Sequence, residues 1–276
     1  MSPEYLAVTM FVGVIVLVFA GVPLYLALGG LGLYFGIAGG WSPQVYDQFI
    51  NRIFGLMSSE VLPAVPLFVF MGAILDKSGA ADKLFGAFYV AMGGLRGGLA
   101  VATILICTIF AACTGVVGAS VTTMGMLALP AMLKRNYNIP LACGAICAGG
   151  TLGILIPPSV MMLLYGPMVG LSVAKMFMGA FIPGFVLSGL FIGYIVVICL
   201  LKPEYGPPMP REERQGIPMI KVAGEILLYL VPPMFLILAV LGSIFFGVAS
   251  PTEAAAMGGL GSILVAIFYR KLTFGV

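Results

Sequence analysis

The sequence contains no histidine in 276 residues, has one tryptophan, and only 8% of its residues are charged. Without histidine it lacks both the usual general base and a common ligand of zinc and haem. The five cysteines, Cys107, Cys113, Cys143, Cys147 and Cys199, each lie in or beside an apolar stretch, so they read as small packing residues. No nucleophile stands beside a recognisable base, which argues against an enzyme. The 13 basic and 10 acidic residues are spread over loops and build no face that would neutralise a nucleic-acid backbone, so nucleic acid is not an expected partner.

Apolar residues are abundant instead, at 61% of the chain with a mean hydropathy of +1.16. Soluble domains hold about 45–50%. A spanning helix needs roughly 20 apolar residues to cross about 30 Å of hydrocarbon, so the length allows roughly eight to ten crossings. The expected fold class is all-α, a polytopic membrane helical bundle. The first apolar run has no basic segment before it and no small-residue cleavage site after it, and reads as a retained first transmembrane helix.

Apolar runs cover Tyr5 to Ala20 and Val22 to Ala38, separated at Gly21-Val22-Pro23. Pro43 to Met57 mixes Asp47, Asn51 and Arg52 with apolar residues at helical spacing, the pattern of a helix lying along the interface. Val61 to Leu75 is a span with a charged exit at Asp76-Lys77-Ser78-Gly79, and Ala81 to Gly94 is again amphipathic. Further spans run over Met176 to Leu201, Val222 to Phe246 and Ala254 to Phe268. The polar loop 202–221 carries Lys202, Arg211, Arg214 and Lys221, which the positive-inside rule places in the cytoplasm; Glu204, Glu212 and Glu213 count little there. Glu60, Arg96, Lys175, Glu225 and Glu253 fall near span ends and read as interfacial anchors.

Two stretches interrupt this pattern. Within Gly97 to Lys134 the middle is Thr114 to Thr123, small and hydroxyl-bearing, suited to the tip of a re-entrant hairpin whose two half-length arms enter and leave on one side. Within Leu141 to Tyr165, Gly149-Gly150-Thr151-Leu152-Gly153 and Ile156-Pro157-Pro158-Ser159 should break a helix at membrane depth. Broken helices offer N–H groups to anions and carbonyls and hydroxyls to sodium. Thr114, Gly115, Gly118, Ser120 and Thr122 are therefore expected to face Thr151, Gly153, Pro157 and Ser159 across a cavity near the midplane. The same residues also suit plain tight packing around a kink, as in a passive channel or a helical scaffold subunit.

The run Gly144 to Ser159, with its glycine-threonine-leucine-glycine and isoleucine-proline-proline-serine segments, resembles the signature of the large membrane subunit of tripartite ATP-independent periplasmic (TRAP) transporters, the DctM type. The hairpin tip, Leu62 to Gly72 and Ser250-Pro251-Thr252-Glu253-Ala254-Ala255-Ala256 are similar too. The resemblance implies an elevator-type permease of the inner membrane of a bacterium or archaeon, importing small organic acids with sodium as coupling ion and no other cofactor. It also implies two partners, a small four-helix subunit of the DctQ type and a periplasmic substrate-binding protein of the DctP type. By the same resemblance, 1–78 would be scaffold helices and an arm, 79–170 a transport segment with hairpin 97–135 and broken helix 141–168, 171–249 further transmembrane helices, and 250–276 the start of a second, inverted repeat. Family members are about half as long again, so this chain is expected to lack most of that repeat, to hold half of a site, and to carry out no transport alone.

Overall fold

The computed structural model describes residues 3–40, 42–210 and 218–269, so the readings that rest on Arg211, Glu212, Glu213, Arg214 and Lys271 to Val276 lie outside the described residues. Among the described residues there are twelve α-helices, two short 3-10 turns and no strand. The chain divides into two compact units, Met1–Ser59 and Glu60–Val276.

The first unit holds α1 (Pro3–Phe19), α2 (Leu24–Ala38) and α3 (Ser42–Met57). Gly21 takes a left-handed φ of 85°, which lets the chain turn at the Gly-Val-Pro step between α1 and α2. Large apolar side chains remain uncovered, Phe19 at 89% and Tyr25 at 73% exposure among them. An apolar surface of that extent belongs against lipid or another protein.

The second unit begins with α4 (Ala64–Lys77) and α5 (Ala80–Met92), bent 55° from one another at Ser78-Gly79. Then come α6 (Gly98–Thr114), α7 (Val117–Lys134), α8 (Ile139–Thr151), α9 (Val160–Met168), α10 (Val173–Leu201), α11 (Met219–Phe245) and α12 (Pro251–Phe268). By length and apolar character α7, α10, α12 and Ile220–Phe245 of α11 can each cross a membrane, and the bent α4–α5 pair counts as a fifth crossing if taken as one span. The chain is a multi-span helical membrane protein.

The core is built around α6, which is buried along almost its whole length and packed by α4, α5, α7, α8 and α10. Its small residues, Ala100, Ala102, Ala111 and Ala112, let those neighbours approach closely. Its threonines bond back to the helix, Thr103 donating to Leu99 O at 2.8 Å and Thr108 to Ile104 O at 2.7 Å, and Thr108 also shares a 2.6 Å bond with Ser188 of α10. Among the described residues no buried polar side-chain atom is left without a partner, as a low-dielectric interior requires.

One end of this unit is stitched by backbone bonds. Gly97 N donates to Gly206 O at 2.8 Å, Met209 N to Gly93 O at 2.6 Å, and Asn138 N to Tyr205 O at 3.1 Å. The described part of the polar loop therefore lies at the end where α6 starts and α7 finishes. Arg96, Lys134, Arg135 and Lys202 share that end.

Candidate functional site

The hairpin arms turn through two residues. Thr114 closes α6, Gly115 adopts a left-handed φ of 61°, and extended Val116 starts α7. With 17 and 18 residues, the arms run about 26 and 27 Å at about 1.5 Å per residue, so they are not the half-length helices the sequence suggested. From Val117 onward the small and hydroxyl residues stay helical, Thr122 donating its hydroxyl back to Gly118 O at 2.7 Å, so the small-residue stretch shortens neither arm.

The second interruption is a real break. From Thr151 the chain tightens into a 3-10 turn over Leu152–Ile154, passes a cis Pro157–Pro158 bond, and resumes as α9 at Val160. Ile156 N still reaches Leu152 O at 2.8 Å, and Ser159, 1% exposed, donates its hydroxyl to Ile154 O at 2.8 Å. That side-chain bond bridges the residues whose helical partners the two prolines remove.

Tip and break meet directly. A Cβ built on Gly115 would stand 2.8 Å from Pro158 O and 3.6 Å from Ser159 Cα, and one on Gly153 would stand 3.5 Å from the carbonyl carbon of Val116. A Cβ on Gly150 would collide with a Val121 methyl, so α8 presses against α7 just before the break. The expected cavity between the two segments is thus replaced by close backbone packing at these residues, because glycine on both sides removes the side chains that would hold them apart. Thr114 and Ser120 share a 2.9 Å hydroxyl bond across the turn, Thr114 also donates to Phe110 O, and both are buried.

The nine residues singled out from sequence separate into two sets. Thr114, Gly115, Ser120, Gly153, Pro157 and Ser159 are buried in this junction. Gly118, Thr122 and Thr151 are exposed, and the two threonines bond only within their own helices, to Gly118 O and Ala148 O.

Two residues that sequence reading passed over belong beside the first set. Asp76, read there as part of a charged exit, is half-buried and accepts from Thr123 Oγ1 at 3.2 and 3.3 Å through its two carboxylate oxygens. Gly72, one turn earlier on the same face of α4, lies so close to the hairpin that a Cβ there would be 2.7 Å from Thr114 Cα. The Gly72–Asp76 spacing of four was a usable signal.

The segment Ser250 to Ala256 has a structural explanation. Ser250 and Glu253 form a reciprocal cap on α12, Ser250 N donating to Glu253 Oε2 at 2.7 Å and Glu253 N to Ser250 Oγ at 3.3 Å. Thr252 donates to Glu60 O at 2.6 Å, and Ala254 and Ala255 are buried in the packing of α12 along α4. Glu253 is therefore a cap as well as a residue near a span end.

A hairpin seated on a broken helix inside a lipid-compatible bundle is the architecture of a polytopic helical membrane protein. The sequence model of the DctM component of tripartite ATP-independent periplasmic transporters matches residues 11–276, and the chain belongs to that family. It is 33% identical to a C4-dicarboxylate TRAP transporter large permease protein of Pseudomonas aeruginosa over 84% of this chain and 53% of that one. A C4-dicarboxylate large permease protein of Vibrio cholerae is 32% identical over 95% of this chain and 56% of its own length. An isethionate TRAP transporter permease protein of Oleidesulfovibrio alaskensis is 30% identical over 92% and 39%. The chain thus spans about half the length of the curated relatives it matches.

Proposed function

We propose that this chain supplies the first hairpin and the first broken helix of a sodium-coupled permease that imports small organic acids, carboxylates foremost, across the cytoplasmic membrane of a bacterium or archaeon. The observation that carries this reading is the seating of Gly115 on Pro158 and Ser159, which makes two interruptions, 43 residues apart by number at their nearest packed pair, into one structural unit. Such a unit places unwound backbone and hydroxyls at membrane depth only because protein covers them. Relatives named for C4-dicarboxylate and for isethionate support small organic anions as the cargo class, while relatives named for ectoine carry a small zwitterion with a carboxylate.

In this reading the buried hydroxyls of Thr114, Ser120 and Ser159 and the carbonyls of the break serve the sodium site. Gly118, Thr122 and Thr151, exposed on this chain, form one wall of the substrate site, and the remainder comes from outside it. The unit moves as a whole in an elevator-like step against a scaffold. The periplasmic substrate-binding protein delivers cargo, and the small four-helix subunit stands beside the permease. The basic end formed by Arg96, Lys134, Arg135 and Lys202 faces the cytoplasm. The tightness of the junction also suits a second reading, a passive channel or scaffold whose glycines serve packing alone.

Proteoliposomes carrying the full permease assembly separate the two readings. Uptake of a labelled C4-dicarboxylate should rise at least tenfold on imposing an inward sodium gradient, and Thr151→Ala should lower it. Uptake that is linear in solute and indifferent to sodium would support the scaffold or channel.

A further inference from the structure

α8 and α10 both pack on α6, and a groove of about 580 Å³ lies between them. Residue size opens it: α8 presents Gly144 and Ala148 to the groove, and a Cβ built on Gly144 would meet nothing within 4 Å. Leu190 and Ile198 of α10 form the facing wall, with Ile104 of α6 between the two. From Leu190 to Ile198 that wall runs about 12 Å along a helix long and apolar enough to cross a membrane. A volume of this size falls in the range of small-molecule sites.

The polar lining is gathered at one end, where Asn138 precedes α8 and Tyr205 follows α10. Asn138 Oδ1 accepts from Leu141 N at 3.1 Å, which leaves its amide N–H groups as donors. The Tyr205 hydroxyl accepts from Lys202 Nζ at 3.3 Å, and that ammonium stands 5.0 Å from the centre of the tyrosine ring. Glu204, between the two in sequence, is exposed. The groove is therefore apolar along its length and carries a cation at one mouth.

We propose that this groove holds one acyl chain of an anionic phospholipid, whose phosphate meets Lys202, the Tyr205 hydroxyl and the Asn138 amide. Charge and polarity argue for that occupant. Apolar walls complement a hydrocarbon tail, and a basic group at the mouth of a pocket between membrane helices recognises an anionic headgroup. A lysine at the end of a spanning helix reaches headgroup level by extending its stem. A free phosphate would meet the same cation but leave the groove unfilled, and an uncharged amphiphile would fill it but leave Lys202 without a counter-ion. The position gives the lipid a structural effect. α8 runs into the break at Thr151, and α10 packs on that break at Gly184, where a Cβ would stand 2.8 Å from Ile156 Cγ1. A chain lying between Gly144 and Leu190 joins the same two helices farther along their length, so the bound lipid stiffens the unit that carries the break.

This site lies outside the junction of tip and break and does not depend on the proposed cargo or coupling. The measurement is the thermal midpoint of the purified, delipidated permease assembly titrated with phosphatidylglycerol, phosphatidylethanolamine or inorganic phosphate, with native mass spectrometry counting the lipid retained. Phosphatidylglycerol should raise the midpoint saturably, at a half-maximal concentration at least fivefold below that of phosphatidylethanolamine, and inorganic phosphate should leave it unchanged. Gly144→Leu fills the groove and should raise the half-maximal phosphatidylglycerol concentration at least tenfold, with less lipid retained. Lys202→Gln should remove the preference for phosphatidylglycerol. Lys175→Gln, the same loss of charge on an exposed residue at the other end of α10, should change neither. Gly144→Leu and Lys202→Gln titrations that overlay wild type overturn the site, as does a shift that inorganic phosphate alone reproduces. If Gly144→Leu does not fold, Lys202→Gln decides, and an unaltered lipid preference there overturns the site equally. Loss of the small membrane subunit from Gly144→Leu with lipid retention unchanged would assign the groove to a protein helix and overturn the lipid reading.

Discussion

Gly115 is held by two constraints at once, a φ of 61° and a carbonyl 2.8 Å from where its Cβ would be. A left-handed non-glycine residue costs of order 1–3 kcal/mol before any clash is counted. Gly115→Ala should therefore lower the stability of the purified protein by about 2 kcal/mol or more, read as a lower thermal midpoint in detergent. Gly118, three residues on, has open space around it and a helical backbone, so Gly118→Ala should leave the midpoint unchanged or raise it, by up to about 1 kcal/mol. Equal effects from the two substitutions would contradict the seating of the tip on the break. At this scale the sequence revealed residue type well and neighbourhood poorly. Pro157, Pro158 and the glycines announced themselves because their backbone chemistry is local. Asp76 did not, because its meaning comes from the hydroxyl of Thr123, 47 positions away, a long-range bond that no local pattern encodes.

Most helices were legible because apolar run length, glycine and proline punctuate them. The break after Thr151 falls where two prolines and a glycine-rich run require it. The turn does lie in the small-residue stretch, at Gly115-Val116, but the arms were misread in length, since the residues from Val117 to Thr123 belong to the first turns of α7. The start of α12 shows the opposite case, a motif whose capping role is readable from spacing alone. Ser250→Ala removes the acceptor for the Glu253 N–H and should cost about 1 kcal/mol, seen as a reduced midpoint and as faster hydrogen exchange in the first turn of α12. Protection that does not change in that turn would show that the Thr252–Glu60 bond and the Glu253 carboxylate hold the helix start without the serine hydroxyl.

Family membership was readable because the signature run lies in one continuous segment, whereas the relatives named for a cargo extend well beyond the matched region, which is 53–56% of their length. The basic end gives an orientation that can be tested. A cysteine introduced by Arg96→Cys, in a background with Cys143 and Cys147 replaced by serine, should react with a membrane-impermeant maleimide only from the cytoplasmic side. Labelling from the periplasm would invert the topology. The central claim is that the hairpin seated on the broken helix couples sodium to solute movement. Its most direct test is the initial rate of organic-acid uptake into proteoliposomes as sodium is varied at constant ionic strength, for wild type and for Ser120→Ala. The sodium dependence should be saturable, with a half-saturating concentration that rises at least tenfold in Ser120→Ala. A rate that ignores sodium, or a Ser120→Ala curve that overlays wild type, would contradict it.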